Sequence, residues 1–515
     1  MQATGNPLRR GLICLLIVVG LTLPALGSAR AQTAGIVIGT VEKLATLDPA
    51  DAGDVFTWEV MSHLFTGLTR QKVGTVEYEL ALASQHTASE DGLTHSFVIR
   101  PDAAFNDGTP ITAQTFADTI NRTLTLSGRG GKIVAQYVKA VSADVSTNTL
   151  TLELVKPIPF IEQLVALPIF APLPPSLYTA NAFNNTPTTF ISNGIYKVEH
   201  FEPSKSITLT ADPAWKGDAP QTAMITITHF DYPADLRVAL INGDVDLAWR
   251  GLPDEDTDLA LRTSGLRQEN APGLQSFYLL IDVTQKPFNN LIARQGTAYM
   301  FDRERAVKVG MQGMAEALYS LVPSQLEADA PAYPAYDFDK AAEVLASGKF
   351  TRYNQINSSM QYSRLLYGDL YAEGISVLNS NLQRQRTYIL GVFDTEPKTF
   401  LNQIERGQFK SIIVGWSPLV PHPYAYLQPL LASDGRLAAG AHYQNAEIDT
   451  LLKQAATAEP SAQSALYQQV QTLALQDVVA VPLWQNQQTL IAHENVQGIV
   501  IEPNFLLRYD QLKKS

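Results

Sequence analysis

Between Trp416 and Tyr426 the sequence reads Trp-Ser-Pro-Leu-Val-Pro-His-Pro-Tyr-Ala-Tyr, an indole, an imidazole and two phenols on a stretch stiffened by three prolines. Such side chains offer flat apolar faces with polar edges, the chemistry of holding a ligand rather than of breaking a bond. Catalytic patterns are missing elsewhere. None of the eight histidines forms a His-Glu-x-x-His pair, so zinc hydrolysis has no local signature. No Gly-x-Ser-x-Gly elbow supplies a serine nucleophile. Residues 126–133 approach a phosphate loop, but Leu126 stands where the pattern needs glycine and Ile133 where it needs Ser or Thr, so the segment reads as a flexible loop. Scattered carboxylates leave a glycosidase-like pair open, although in so acidic a chain they read first as solvated surface groups.

The N-terminus bears on where such a ligand would be met. Arg9 and Arg10 precede an apolar run from Gly11 to Leu26, and Ala29-Arg30-Ala31 places small residues for cleavage after Ala31. The run is short for a membrane span and carries Pro24 near its end, so a cleaved signal peptide is expected over an anchor. Arg9-Arg10-Gly11-Leu12 lacks the fuller twin-arginine pattern. Cys14, the only cysteine, lies inside the apolar run, so the mature chain is expected to have no disulfide, thiolate metal site or cysteine nucleophile. Removing residues 1–31 takes away Arg9, Arg10 and Arg30 and no acid, moving the formal charge from −12 to −15. That balance disfavours nucleic acid and anionic lipid as partners.

At 515 residues the chain exceeds what one core usually supports, and its elements mix strands with helices. Strands are expected at 35–39, 94–100, 194–198, 206–211, 224–230, 277–283 and 412–414, with a hairpin turning near Asn148 and a last strand region from Pro482. Helices are expected at 54–68, from the Thr112 cap to about Leu124, at 235–242 ending in Gly243, at 290–309 with Asp302 breaking the apolar pattern, and at 446–476 with an interruption near Pro460. Leu47-Asp48-Pro49 reads as a turn. No repeat is visible.

Four separated segments resemble family 5 of the bacterial extracellular solute-binding proteins, the peptide, oligopeptide and nickel binders of ABC transporters. They are Asp107-Gly108-Thr109-Pro110-Ile111-Thr112-Ala113; Asn193-Gly194-Ile195-Tyr196-Lys197-Val198 with Asp212-Pro213-Ala214-Trp215-Lys216-Gly217; Leu240 to Asp246 with Ala298 to Arg303; and Gly415-Trp416 with Pro482-Leu483-Trp484. Each is weak alone, and their order and spacing span nearly all of residues 35 to 505.

The resemblance implies an α/β, two-lobed periplasmic-binding-protein clamshell with an inserted subdomain (cluster C type). It implies a signal peptide at 1–31 and a discontinuous lobe I from 32–75, 188–271 and 481–515. The inserted subdomain would span 76–187 and lobe II 272–480. A monomer would trap a peptide or peptide-sized ligand between the lobes and deliver it to an ABC permease in the inner membrane, with no cofactor, metal or catalysis. The alternatives are an exported hydrolase, or a nickel-chelate or other small-solute binder on the same fold.

By the same resemblance Trp416, Leu419, His422 and Tyr424 line the cleft, joined by Asp54 and Phe56, which follow the first strand. Phe56 has an equal reading as the core face of a helix, and His422 as a solvated loop residue. Peptide binders of the family carry an aspartate three residues after this tryptophan, paired with the ligand's α-ammonium. Here that residue is Leu419, which argues against free-amine peptides, since an ammonium desolvated without a counter-charge is costly. Asp54 or Asp282 is left as another source of charge.

Overall fold

The protein is described by a computed structural model covering residues 35–515 except Thr188, Ala328 and Gln385. The predicted signal peptide and its cut after Ala31 lie outside the described residues.

The chain opens with β1 (Ile36–Thr40) and α1 (Val55–Leu64). It then builds β2 (Ala83–Ala88), β3 (Thr94–Ile99), α2 (Ala113–Leu126), α3 (Arg129–Tyr137), β4 (Val138–Asp144) and β5 (Thr149–Leu154). Next come β6 (Tyr196–Glu202), β7 (Ser206–Ala211), β8 (Met224–His229), α4 (Pro233–Asn242) and β9 (Leu247–Trp249). A long strand, β10 (Leu266–Ile281), leads to β11 (Ile356–Tyr362), α5 (Asp369–Arg384), β12 (Tyr388–Asp394) and β13 (Ser411–Trp416). Helices α6 (Tyr424–Leu431), α7 (Ala446–Thr457) and α8 (Pro460–Asp477) precede a second long strand, β14 (Ala480–His493).

One large sheet runs β12-β11-β13-β10-β14-β9-β1-β8-β7-β6, with the short strand Ala315–Ala317 paired to β14. Strands β10 and β14 pair antiparallel from Leu266 opposite His493 to Leu280 opposite Ala480, so they belong to both halves. A separate sheet, β2-β3-β5-β4, carries α2 and α3. Its alternating side chains bury Phe97, Ile99, Leu150 and Leu152, the period-2 pattern of a sheet covered on one face.

Several elements follow from local chemistry. Thr112 caps α2 with its hydroxyl and forms a reciprocal capping box with Thr115. Asn148, with φ of 52°, turns the β4–β5 hairpin, and its side-chain oxygen accepts the Ala113 N–H at 2.9 Å. Gly243 ends α4 with φ of 78°, where a side chain would be strained.

Other expectations fail, each for a tertiary reason. Residues 126–133 are not a loop: Ser127 caps α2 and Arg129 begins α3. A Cβ at Gly130 would lie 2.1 Å from the Pro49 carbonyl oxygen, and one at Gly131 2.2 Å from that of Thr123, so these glycines serve close packing. The helix expected over 54–68 stops at Leu64, because Asn193 and Gly194 donate their N–H groups to the Leu64 carbonyl at 3.1 and 2.8 Å. The expected 290–309 helix is divided into Leu291–Ala298, Arg303–Arg305 and a π-turn at Ala306–Gly310, with Asp302 capping the second piece. The strand expected at 277–283 is the end of the sixteen-residue β10, whose stretch Arg267–Pro272 is half-buried to exposed and lacks an apolar alternation.

Candidate functional site

Strand direction selects a place for a ligand. β1 is parallel to β8 and β9, and β9 pairs with β14 so that its carboxyl end points toward the middle of β14. In the other half β11 is parallel to β12 and β13, and β13 ends with Trp416 opposite Ser276 of β10. The carboxyl ends of both parallel sets thus point toward the stretch where β10 and β14 cross between halves. Ligands of open α/β sheets bind outside such strand ends.

The crossing is polar and irregular. Gly273 to Gln275 bulge out of the β10–β14 ladder. Gln485 donates to the Gly273 carbonyl at 2.7 Å, and Asn486 accepts the Gln275 N–H at 3.1 Å. Bulges bend and twist a strand pair locally, as a junction between two bodies requires. Behind it, Phe277 stacks on Tyr371 of α5 at 4.5 Å and lies 5.7 Å from Trp484.

The predicted residues fall into two groups, and among the described residues no hydrogen bond or ring contact joins them. Trp416 is half-buried at the crossing, its indole N–H donated to the Ala425 carbonyl at 2.9 Å, so the following loop folds back on the ring. Leu419 is half-buried and packs on the core. His422 is buried rather than solvated: its Nδ1 accepts the Tyr424 N–H at 3.2 Å, and desolvation lowers its pKa to about 4, so it is neutral. Tyr424, the first residue of α6, is also buried, which pushes its phenol up to about 12.

On α1, Phe56 is a core residue. Asp54 caps the helix, accepting the Thr57 N–H at 2.8 Å and the Thr57 hydroxyl at 3.0 Å, and its other neighbour is Arg129 at 3.5 Å. Asp282 is fully buried, bonded to the Thr284 hydroxyl at 2.7 Å and to His442 at 3.2 Å. Both carboxylates are already engaged within the fold.

Two residues at the crossing were missed. Arg250 follows β9 with φ of 58°, an unusual conformation for a non-glycine. Its guanidinium lies over the Trp249 ring at 4.8 Å and donates to Glu59 and to the Phe505 carbonyl. Glu59, fully buried, also accepts from Trp249, Leu507 and Tyr509, which ties the C-terminal segment to α1. The second is Asp254, at the start of a helix spanning Asp254–Leu261, with neither a hydrogen bond nor an ion pair among the described residues. Burial and then Asp258 raise its pKa, and its charge is among the causes that raise that of Tyr371 on α5. Nothing in the local sequence distinguishes Asp254 from its acidic neighbours Glu255 and Asp256.

Comparison with known proteins places this geometry in context. The model of bacterial extracellular solute-binding proteins, family 5 (middle region), matches residues 77–437. A probable D,D-dipeptide-binding periplasmic protein of Escherichia coli K12 is 24% identical over 482 residues, covering 91% of this chain and 92% of the relative. The glutathione-binding protein of the same strain is 23% identical over 508 residues, covering 95% and 96%. Among solved structures, HbpA2 from Haemophilus parasuis superposes with a TM-score of 0.82 at 17% identity, covering 93% of this chain and 99% of that one. This last likeness concerns the fold, the two-lobed α/β architecture built across the crossing strands.

Proposed function

This chain belongs to the bacterial extracellular solute-binding proteins of family 5, and from that premise we propose that it is the periplasmic receptor of an ABC importer. It captures a peptide or peptide-sized solute at the crossing of β10 and β14 and hands it to an inner-membrane permease without chemical change. The observation that carries the reading is the convergence of the parallel strands' carboxyl ends on that crossing, in a chain whose relatives cover nearly its whole length. Support for a peptide-sized ligand comes from relatives named for a D,D-dipeptide and for glutathione. Export by a signal peptide cut after Ala31 rests on the N-terminal sequence.

Lobe I is proposed as 32–75, 188–271 and 481–515, the inserted subdomain as 76–187, and lobe II as 272–480. Trp416 supplies the flat wall of the site, beside Leu419. Because Leu419 offers no counter-charge, acetylating a peptide's amino terminus is expected to change its affinity less than tenfold. His422, buried and neutral, is in no position to bind a metal chelate without leaving its pocket.

A thermal-shift screen with di- and tripeptides, glutathione, opines, sugars and metal chelates, followed by calorimetry of each responder, tests the assignment. A shift with peptides or glutathione supports it. Turnover of any of these compounds, or no response from any class, would overturn it.

A further inference from the structure

The inserted subdomain meets the second half of the molecule directly, away from the crossing. Phe160, just after β5, is buried with its ring 5.7 Å from His422 and 6.2 Å from Tyr424, and His422 in turn lies 6.0 Å from Tyr467 of α8 edge-on. Lys156 reaches Asp434 at 3.6 Å. Gly92, in the β2–β3 turn, comes so close to α7 that a Cβ there would lie 2.9 Å from the Thr457 methyl. Beside these contacts a groove of about 360 Å³ stays unfilled, between Lys156 and Pro157 on one side and Tyr424, Gln428 and Lys453 on the other. Phe160, Tyr424 and Tyr467 are buried in one core cluster, while the margin of this seam is an exposed ion pair and an open groove, the polar rim of an interface between domains.

The subdomain's other attachment is a buried ion pair. Asp48, between β1 and α1, receives both Nη atoms of Arg122 on α2 at 2.8 and 2.6 Å, with both side chains buried. The subdomain therefore moves with the β1 half. A rotation about the crossing that parts the two halves must pull Phe160 away from His422 and Tyr424.

We propose that Phe160 and its socket of His422, Tyr424 and Tyr467 form a closing latch, by which the protein's own side chain, rather than ligand, occupies two residues that sequence nominates for ligand contact. Phe160 is then a positioning residue, which acts on capture through the fraction of molecules already closed. Apparent affinity scales with that fraction, so a latch that keeps most molecules closed has up to tenfold to lose when closure falls to about a tenth. The inference rests on the solute-binding reading, but its test needs no ligand.

The experiment uses dyes at Val145→Cys, exposed in the β4–β5 turn, and Leu365→Cys, exposed in the other half, in the mature chain, whose sequence holds no cysteine after Cys14. Single-molecule energy transfer reads their separation without ligand. Phe160→Ala is expected to shift the population toward a longer separation, and Tyr424→Ala, from the opposite side of the socket, to do the same. Phe160→Leu should restore most of the short-separation population, which a general loss of fold would not allow. The double variant Phe160→Ala with Tyr424→Ala should open little further than either alone. Unchanged separations in both alanine variants, or shifts that add in the double variant, would overturn the latch. Should one variant fail to fold, the other decides by the same readout.

Discussion

The β2–β5 sheet and its helices α2 and α3 are held along two seams built from opposite chemistry. Toward the β1 half, Asp48 and Arg122 are buried to 0% and 5% exposure. The pair is further bonded: Arg122 also donates to the Thr179 and Ala182 carbonyls, and Asp48 accepts from Asn184 and Ala50. Toward the α6–α8 half, Lys156 and Asp434 are 46% and 74% exposed and 3.6 Å apart, and the rest is aromatic contact beside an unfilled groove. A fully desolvated, fully bonded ion pair tolerates no half-measures, because separating it strands a charge in low dielectric. An exposed charge pair parts and rejoins at little cost, and tilted rings can separate without stranding a charge. The fold thus contains one permanent weld and one contact suited to motion.

The sharpest way to break this comparison is to cut the weld. Arg122→Ala leaves Asp48 buried without its partner, and a loss of about 3–5 kcal/mol in urea denaturation is expected. A loss below about 1 kcal/mol would place the two seams in the same class.

Acid separates the seams next. His63, on α1, accepts the Tyr509 N–H on Nε2 at 3.0 Å, so its proton sits on Nδ1 and is donated to the Glu59 carbonyl at 2.8 Å. Burial lowers its pKa to about 4, against the pull of Asp510 at 3.7 Å and with a small push from Arg508. For His422, also near 4 through burial, the lowering is opposed by a hydrogen bond that the ring N–H donates to Gln463. Both depressed values mean that the unfolded chain takes up protons first. Stability is complete above about pH 6.5 and falls progressively toward pH 4, by up to ~3 kcal/mol for each histidine. His63 weakens the folded molecule as a whole. His422 regains water if the second seam opens, so in the same window the energy-transfer separation should lengthen before the denaturation midpoint collapses. A His422→Gln variant should lose that early lengthening and keep the stability loss from His63.

At the crossing, Trp416→Ala removes the wall proposed for the ligand. Its expected effect is about 2 kcal/mol in binding, near thirtyfold by calorimetry, with a small change in the denaturation midpoint. A change confined to the midpoint would make Trp416 a scaffold residue. The smallest effect belongs to the exposed pair: Lys156→Ala should cost no more than about 1 kcal/mol, falling further in salt.

How much of this could be read from the sequence depends on the range of the interaction. Thr112, Asn148 and Gly243 announced a cap, a hairpin turn and a helix stop because each acts within a few residues of itself. Asp48 reads as a turn residue beside Pro49, and it is one, since it accepts the Ala50 N–H at 3.0 Å. Nothing near it reveals that Arg122, 74 positions later, takes both its oxygens. Glycines at 128, 130 and 131 read as looseness, whereas here the first two allow α3 to lie against the Pro49–Ala52 carbonyls and the third against that of Thr123. The stretch from Trp416 to Tyr426 was correctly singled out as aromatic. That His422 and Tyr424 lie against Phe160 is a matter of what lies opposite, and Phe160 is more than 250 residues away.

The sequence alone, then, pointed to the α/β class and to the family to which its ordered segments belong. These depend on residue types and short-range periodicity, which survive without knowledge of neighbours. Only the tertiary structure decided that β10 and β14 carry the chain twice between the halves and that the parallel strands end facing that crossing. It also decided that Asp54 and Asp282 are already engaged, while the Asp254 side chain has no hydrogen bond or ion pair among the described residues. The strand crossing and the Asp282–His442 contact join residues far apart in the sequence, and burial sets their energies only once the two surfaces have met.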